Sequence, residues 1–181
     1  MTEPLVTIGG PPGSGKSTAG RAVAAKRHLE FVSAGELFRA EARRRGLSLA
    51  ELGTLAESDA SIDRTLDDEM LARAQPGRLL DGRVIGPLCR RRGIAVRYIF
   101  VTADPEVRFQ RLAGRDGGEL TEVARATRIR EESERRRYAQ YYHIDLASER
   151  PDLTVDSTNG TPDEVVGAIL EFLDSPAGRP V

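Results

Sequence analysis

The sequence predicts an α/β fold, a parallel β-sheet covered by helices on both faces, and three observations carry that expectation. Short apolar or β-branched runs recur along the chain, at Leu5-Val6-Thr7-Ile8, Glu30-Phe31-Val32-Ser33, Arg78-Leu79-Leu80-Asp81, Ile94 to Val101 and Leu153-Thr154-Val155-Asp156. The segments between them carry helical periodicity with caps and terminal glycines. The first run ends in Gly9-Gly10, a glycine-rich turn leading into a helix. Strands that alternate with helices imply a five-stranded parallel sheet buried between two helical layers.

Each element has its own local reason. Leu5–Ile8 reads as a buried strand, and Ser17–His28 as a helix with Ala19, Val23 and Ala24 on one face. Residues 34–75 hold no strand signal and read as two or three helices, about 35–45, 48–57 and 61–74, with Ser48 and Glu51 spaced as a capping box. Pro76-Gly77 stops the last of these, and Gly82 closes the third strand. Asp104 is expected to cap a helix whose first turn holds Pro105, and Asp116-Gly117-Gly118 breaks that helix. A long charged helix follows over about 120–141. Thr161-Pro162-Asp163-Glu164 then opens the closing helix with a cap, a proline and a capping-box glutamate. The tail 175–181, with Pro176, Gly178 and Pro180, is expected to fray.

A chain of 181 residues suits one well-cored domain. Its net charge of −1 argues against a general binder of nucleic acid polymers. No apolar run is long enough for a membrane span, and the N-terminus lacks the regions of a signal peptide. The single cysteine, Cys89, excludes an internal disulfide and fits the cytoplasm; a small buried hydrophobe is its expected role. His28 and His143 are far apart and make no metal site with it. Arg43-Arg44-Arg45 and Arg90-Arg91-Arg92 each precede a glycine at a helix end, where cations complement the helix dipole. A monomer is the default expectation, since no long exposed apolar stripe is evident.

Chemistry enters with Gly10-Pro11-Pro12-Gly13-Ser14-Gly15-Lys16-Ser17-Thr18, which satisfies the P-loop pattern between a strand and a helix. Its glycines let successive N–H groups point at phosphate oxygens, and the helix N-terminus adds its dipole. Lys16 is expected to bridge the β- and γ-phosphates of ATP, and Ser17 to ligate Mg²⁺. Only two of the 27 basic residues are lysines, and one of them stands here. Asp81, at the end of the third strand, is placed for the metal, and Arg83 lies two residues on.

Passing phosphate between two anions takes more positive charge than a P-loop supplies, and arginine can grip two oxygens at once. Arg130, Glu134 and Arg137 fall on one helical face, and Arg111 and Arg115 share a face of the preceding helix. With Asp116-Gly117-Gly118 between them, two arginine-bearing helices describe a lid over ATP. A solvated helix tied by Glu131, Glu132 and Glu134 would carry the same charges.

Three further segments make the chain resemble a known family. They are Val32-Ser33-Ala34-Gly35-Glu36-Leu37-Phe38-Arg39, Glu57-Ser58-Asp59-Ala60-Ser61-Ile62-Asp63-Arg64 and Arg130-Glu131-Glu132-Ser133-Glu134-Arg135-Arg136-Arg137-Tyr138. Together with the P-loop, Asp81-Gly82-Arg83 and Thr161-Pro162-Asp163-Glu164-Val165, they resemble the nucleoside monophosphate kinases, most closely the short archaeal-type cytidylate kinases. The likeness spans about residues 5–172. It implies a P-loop NTPase three-layer fold with a core (1–33, 76–110 and 150–174), a helical NMP-binding insert (34–75) and a helical lid (about 111–142). It also implies ATP-dependent phosphorylation of CMP and dCMP. Ser33, Gly35 and Arg39 would hold the acceptor, Arg83, Arg130 and Arg137 would grip phosphates during transfer, and Glu134 would face the nucleoside. Asp63 and Arg64 would approach the pyrimidine. Bacterial relatives carry a base-reading aspartate where this chain has Val84, so the base reading is expected elsewhere, at Asp63. UMP, AMP, a modified pyrimidine nucleotide or a small metabolite stay open as acceptors, and a P-loop switch stays open as a different class.

Overall fold

The computed structural model describes residues 3–175, so the expectations about the first two residues and the tail 176–181 lie outside the described residues. Five strands, β1 (Val6–Gly9), β2 (Glu30–Ser33), β3 (Arg78–Asp81), β4 (Arg97–Thr102) and β5 (Leu153–Asp156), form one sheet. The helices are α1 (Lys16–Arg27), α2 (Ala34–Arg45), α3 (Leu49–Ser58), α4 (Ala60–Ala72), α5 (Ile85–Arg91), α6 (Pro105–Asp116), α7 (Leu120–Tyr142) and α8 (Pro162–Asp174). The strand order is β2-β3-β1-β4-β5, every pair parallel.

The sheet is buried on both faces because side chains alternate along each strand. In β3, Leu79 enters one core with Val6, Ile8, Ile99 and the inner faces of α1 and α8. Its neighbour Leu80 enters another core with Val32, Met70, Ile85 and Cys89, under α4 and α5. Cys89 is buried there as a small hydrophobe, and burial pushes its thiol up to about 11. Residues 34–72 add a small core of their own, in which Ala42, Leu52, Ala56 and Ile62 are fully enclosed.

Register decides where function can sit. Ile8 is level with Asp81 on one side and Ile99 on the other, and Ser33 is level with Asp81. The turn after β1, Asp81 and Ser33 therefore share the C-terminal edge of the sheet, where parallel α/β folds place their sites.

Both expected capping boxes form, at Ser48/Glu51 and Thr161/Glu164. Two local expectations need correction. The fourth strand starts at Arg97 and not at Ile94, because the Ile94 N–H donates to Cys89 O (2.9 Å) to close α5, and Ile94 and Val96 pack into the second core. Asp104 stands at the N-cap of α6 but makes no side-chain cap, its own N–H donating to Thr158 Oγ1 at 2.9 Å. The two arginine runs are held at helix ends. Arg43, Arg44 and Arg45 close α2, and Arg91 donates to Tyr142 O (2.6 Å) and His143 O (3.0 Å) at the end of α7.

Candidate active site

The turn between β1 and α1 depends on glycine. Gly10, Gly13 and Gly15 have φ of 144°, 79° and 84°, a region that side chains disfavour. A Cβ on Gly13 would also stand 2.5 Å from Arg108 O, so the loop is pressed against α6. α1 begins at Lys16, with its N-terminus at the loop. Burial lowers the Lys16 ammonium from its usual value, and Arg83 and Arg130 lower it further, while Asp81 and Glu134 work the other way. Lys16 thus stands among two arginines and two carboxylates.

Asp81 gathers the hydroxyls at the sheet edge. Ser17 Oγ donates to Asp81 Oδ2 at 2.6 Å, and Ser33 Oγ donates to the same oxygen at 3.0 Å. Asp81 Oδ1 is buried and has no hydrogen-bond partner. A buried carboxylate oxygen without a donor, beside a serine hydroxyl, is a hard oxygen set that suits Mg²⁺. Ser17 and Asp81 therefore fit the metal expected of them.

Two cavities flank the P-loop. The first, about 360 Å³, is lined by Gly13, Ser14, Gly15, Thr18, Arg111 and Arg115, with Ser157 and Gly160 from the loop after β5. Arg111 donates to Ser157 Oγ (2.9 Å) and Ser157 O (2.7 Å), and Ser157 Oγ donates on to Ser14 O (2.8 Å), which fixes this loop against the P-loop. The second, about 480 Å³, lies between α2–α3 and α6–α7 and is lined by Pro12, Phe38, Thr54, Glu57, Arg130, Ser133, Glu134 and Arg137 among others. Leu112 and Arg115 line both, so the two cavities meet at α6. A third, about 330 Å³, lies against Gly10, Pro11, Arg83 and Arg108.

Charge in the second cavity is organised around Glu134. Arg130 Nε donates to its Oε1 at 2.7 Å, and Arg83 Nε lies 2.8 Å from its Oε2. Burial alone would raise this carboxyl, but the charges of Arg83, Arg130 and Arg137 outweigh it and hold the group below the usual range. The Arg83 contact is not aligned as a hydrogen bond, leaving Arg83 Nη2 and Glu134 Oε2 buried and unpartnered. Arg137 Nε donates to Asp63 Oδ2 (2.7 Å) and its Nη1 to Ser133 Oγ (2.6 Å), an enclosed pair linking α7 to α4.

The AAA domain family matches residues 9–130 of this chain. A cytidylate kinase of Archaeoglobus fulgidus is 38% identical over 172 residues, covering 93% of this chain and 94% of its own. A cytidylate kinase of Sulfurisphaera tokodaii is 35% identical over 173 residues, covering 94% and 95%. The chain belongs to the cytidylate kinase family. The structure of a shikimate kinase from Bacteroides thetaiotaomicron covers 94% of this cytidylate kinase family member, and is itself covered to 98%, with a TM-score of 0.60 at 17% identity, a likeness of fold. The family placement agrees with the resemblance carried by the Ser33–Arg39 and Arg130–Tyr138 segments.

The expected site residues of this kinase fall into groups. Gly13, Ser14, Gly15, Thr18, Arg111 and Arg115 come together at the first cavity, and Arg130, Glu134 and Arg137 at the second. Pro12 reaches the second cavity, while Gly10, Pro11 and Arg83 line the third. Arg39 is exposed, and its guanidinium lies over Gly35, 3.5 Å from where a Cβ would stand. Asp63 and Arg64 are not brought to any of the three cavities. Asp63 is buried behind Arg137, and Arg64, one residue on and turned about 100° around the helix, is exposed. Val84 is buried in a small core with Leu88 and Ile144.

Arg108 was not among the expected residues. It is 6% exposed and donates to Pro12 O (3.0 Å), Ala103 O (3.2 Å) and Glu131 Oε1 (2.6 Å), joining the P-loop to α7. A signal existed: Arg108 and Leu112 are four apart, so an arginine occupies the buried face of α6. Tyr141 also joins elements, its Oη donating to Ala56 O (2.8 Å) and Glu57 O (3.0 Å).

Proposed function

We propose that this cytidylate kinase transfers the γ-phosphoryl group of ATP to CMP, giving ADP and CDP, with dCMP as a second acceptor and Mg²⁺ required. One observation carries the reading: two cavities meet at Leu112 and Arg115 of α6, the first set against the P-loop and the second lined by Arg130, Glu134 and Arg137. A nucleotide switch needs one such cavity and no cationic junction.

ATP binds in the first cavity, its phosphates on the P-loop and its base toward the loop of Ser157 and Gly160. The acceptor binds in the second, its phosphate drawn to Arg39, Arg83 and Arg130. An acceptor phosphate oxygen forms the new bond to the γ-phosphorus as the bond to the β–γ bridging oxygen breaks, and ADP leaves. Little covalent work falls to the protein, so positioning and charge do most of it. Lys16 and the arginines balance the charge on the moving group. When bound at Ser17 and Asp81, Mg²⁺ would neutralise phosphate oxygens further.

Residues 34–75 serve as the acceptor clamp and 111–142 as the lid, hinged where Gly117 and Gly118 have φ of 79° and 101°. The Arg108–Glu131 pair ties that lid to the P-loop. Among the described residues no helix is long and apolar enough to cross a membrane. A monomer in the cytoplasm, in keeping with the single buried thiol, belongs to the same proposal.

The test is ADP formation from ATP and Mg²⁺ with a panel of CMP, dCMP, UMP and AMP. CMP and dCMP should far exceed the others. Activity confined to UMP, AMP or no monophosphate would overturn the proposal.

A further inference from the structure

We propose that Glu57, at the end of α3, reads the exocyclic amine of the acceptor's base, paired with Arg137 as the neighbouring donor. The inference rests on the function proposed above and names the group that makes the acceptor a cytosine nucleotide.

Cytosine and uracil differ on one edge. Cytosine presents an N4 amine that donates beside an N3 that accepts; uracil presents an O4 that accepts beside an N3–H that donates. A site for cytosine needs a fixed acceptor next to a fixed donor, and a carboxylate beside a guanidinium supplies that order.

Three carboxylates line the second cavity: Asp116, Glu134 and Glu57. Asp116 is gripped at both oxygens by Arg115, at 2.7 and 2.6 Å. Glu134 is held between Arg83 and Arg130, the cations of the phosphate end. Glu57 makes one ion pair, a long contact to Arg136 at 3.3 Å, and its side chain is 41% exposed. Of the three it is the carboxylate least held by guanidinium groups. The Ser133 hydroxyl beside it, with Arg136 and Arg137, holds its carboxyl below the usual range, so it is an acceptor at neutral pH.

The donor half lines the same cavity. Arg137 spends Nε on Asp63 and Nη1 on Ser133, which fixes the guanidinium plane and leaves Nη2 of its three nitrogens for a ligand. Asp63, the carboxylate the sequence suggested for the base, is thereby assigned to orienting Arg137. Tyr141 joins the two halves, because its hydroxyl pins the backbone of Ala56 and Glu57 to α7, the helix that carries Arg137. An acceptor at the end of α3 and a donor on α7 thus line one cavity.

The experiment compares CMP and UMP in the parent and in E57Q, reading UMP as turnover or as inhibition of CMP turnover. A glutamine keeps the shape, but its amide can turn to donate to O4. The ratio of kcat/KM for CMP over UMP should fall about tenfold or more, the scale of one base-edge contact pair, with the CMP loss carried mainly by KM. R136M removes the ion pair between Glu57 and α7, through which a merely structural role of the carboxylate would act, and should leave the ratio unchanged. An unchanged ratio in E57Q, or equal losses for both nucleotides, overturns the role of Glu57 while leaving the kinase reading intact. A parent enzyme that fails to use CMP overturns the kinase reading, and this inference with it.

Discussion

Replacing Asp63 by asparagine tests the arrangement behind the second cavity most directly. The Asp63 and Arg137 side chains are 8% and 5% exposed and meet at 2.7 Å. Burial raises the Asp63 carboxyl, the Arg137 charge opposes it, and the short Nε–Oδ2 contact is that of an ionised pair. Removing one partner of a buried pair costs about 3–5 kcal/mol, because the other charge stays desolvated. Here Ser133 still accepts from Arg137, and Glu134 stands near enough to stabilise its charge, so D63N belongs at the lower end, ~3 kcal/mol. For a chain of this size that is a fall in Tm of about 6–12 °C. Urea denaturation followed by circular dichroism measures it, with the CMP KM as a second readout, expected to rise as Arg137 loses its orientation. Adding R137M to D63N should recover part of the stability, since no charge is then left buried. A loss below about 1 kcal/mol in D63N, or a double variant less stable than D63N, would refute the reasoning.

Two other outcomes follow from the same structure. K16A should lose turnover by about two orders of magnitude or more, the scale of one electrostatic stabiliser, while its circular dichroism melt stays close to the parent's; parental turnover would remove Lys16 from the chemistry. Asp67 accepts from Tyr142 Oη at 2.7 Å, and burial pushes its carboxyl up to about 7, with Asp63 and Asp68 adding to the rise while Tyr142 and Arg137 oppose it. A carboxyl raised on folding is bound to its proton more tightly in the folded chain, so its contribution to stability is complete below the ordinary aspartate range and is lost as pH rises toward 7. Subtracting the stability profile of D67N from that of the parent should isolate a decline across that window, and a flat difference would refute it.

Much of the fold was legible because its causes are local. Apolar β-branched runs are buried wherever they pair, Ser48–Glu51 and Thr161–Glu164 cap their own helices, and glycines at 10, 13 and 15 can only mark a loop that needs positive φ. The error at the fourth strand was local too: Ile94 has strand character, but a free carbonyl at the end of α5 claimed its N–H.

The site divides along the same line. The sequence by itself determined that a P-loop stands between a strand and a helix at Gly10–Ser17, that arginines gather on α6 and α7, and that Asp81 ends a strand near the loop, because each is a matter of residue type and spacing within one or two elements. Only the tertiary structure decided what those residues are bound to. Asp63 and Arg137 are separated by 74 positions, Ser157 and Ser14 by 143, and Arg108 and Pro12 by 96. No periodicity spans such distances. A carboxylate's surroundings depend on whether a guanidinium has already claimed it, and that is settled by packing: it buried Asp63 against Arg137 and left Glu57 with a single long contact to Arg136 at the cavity.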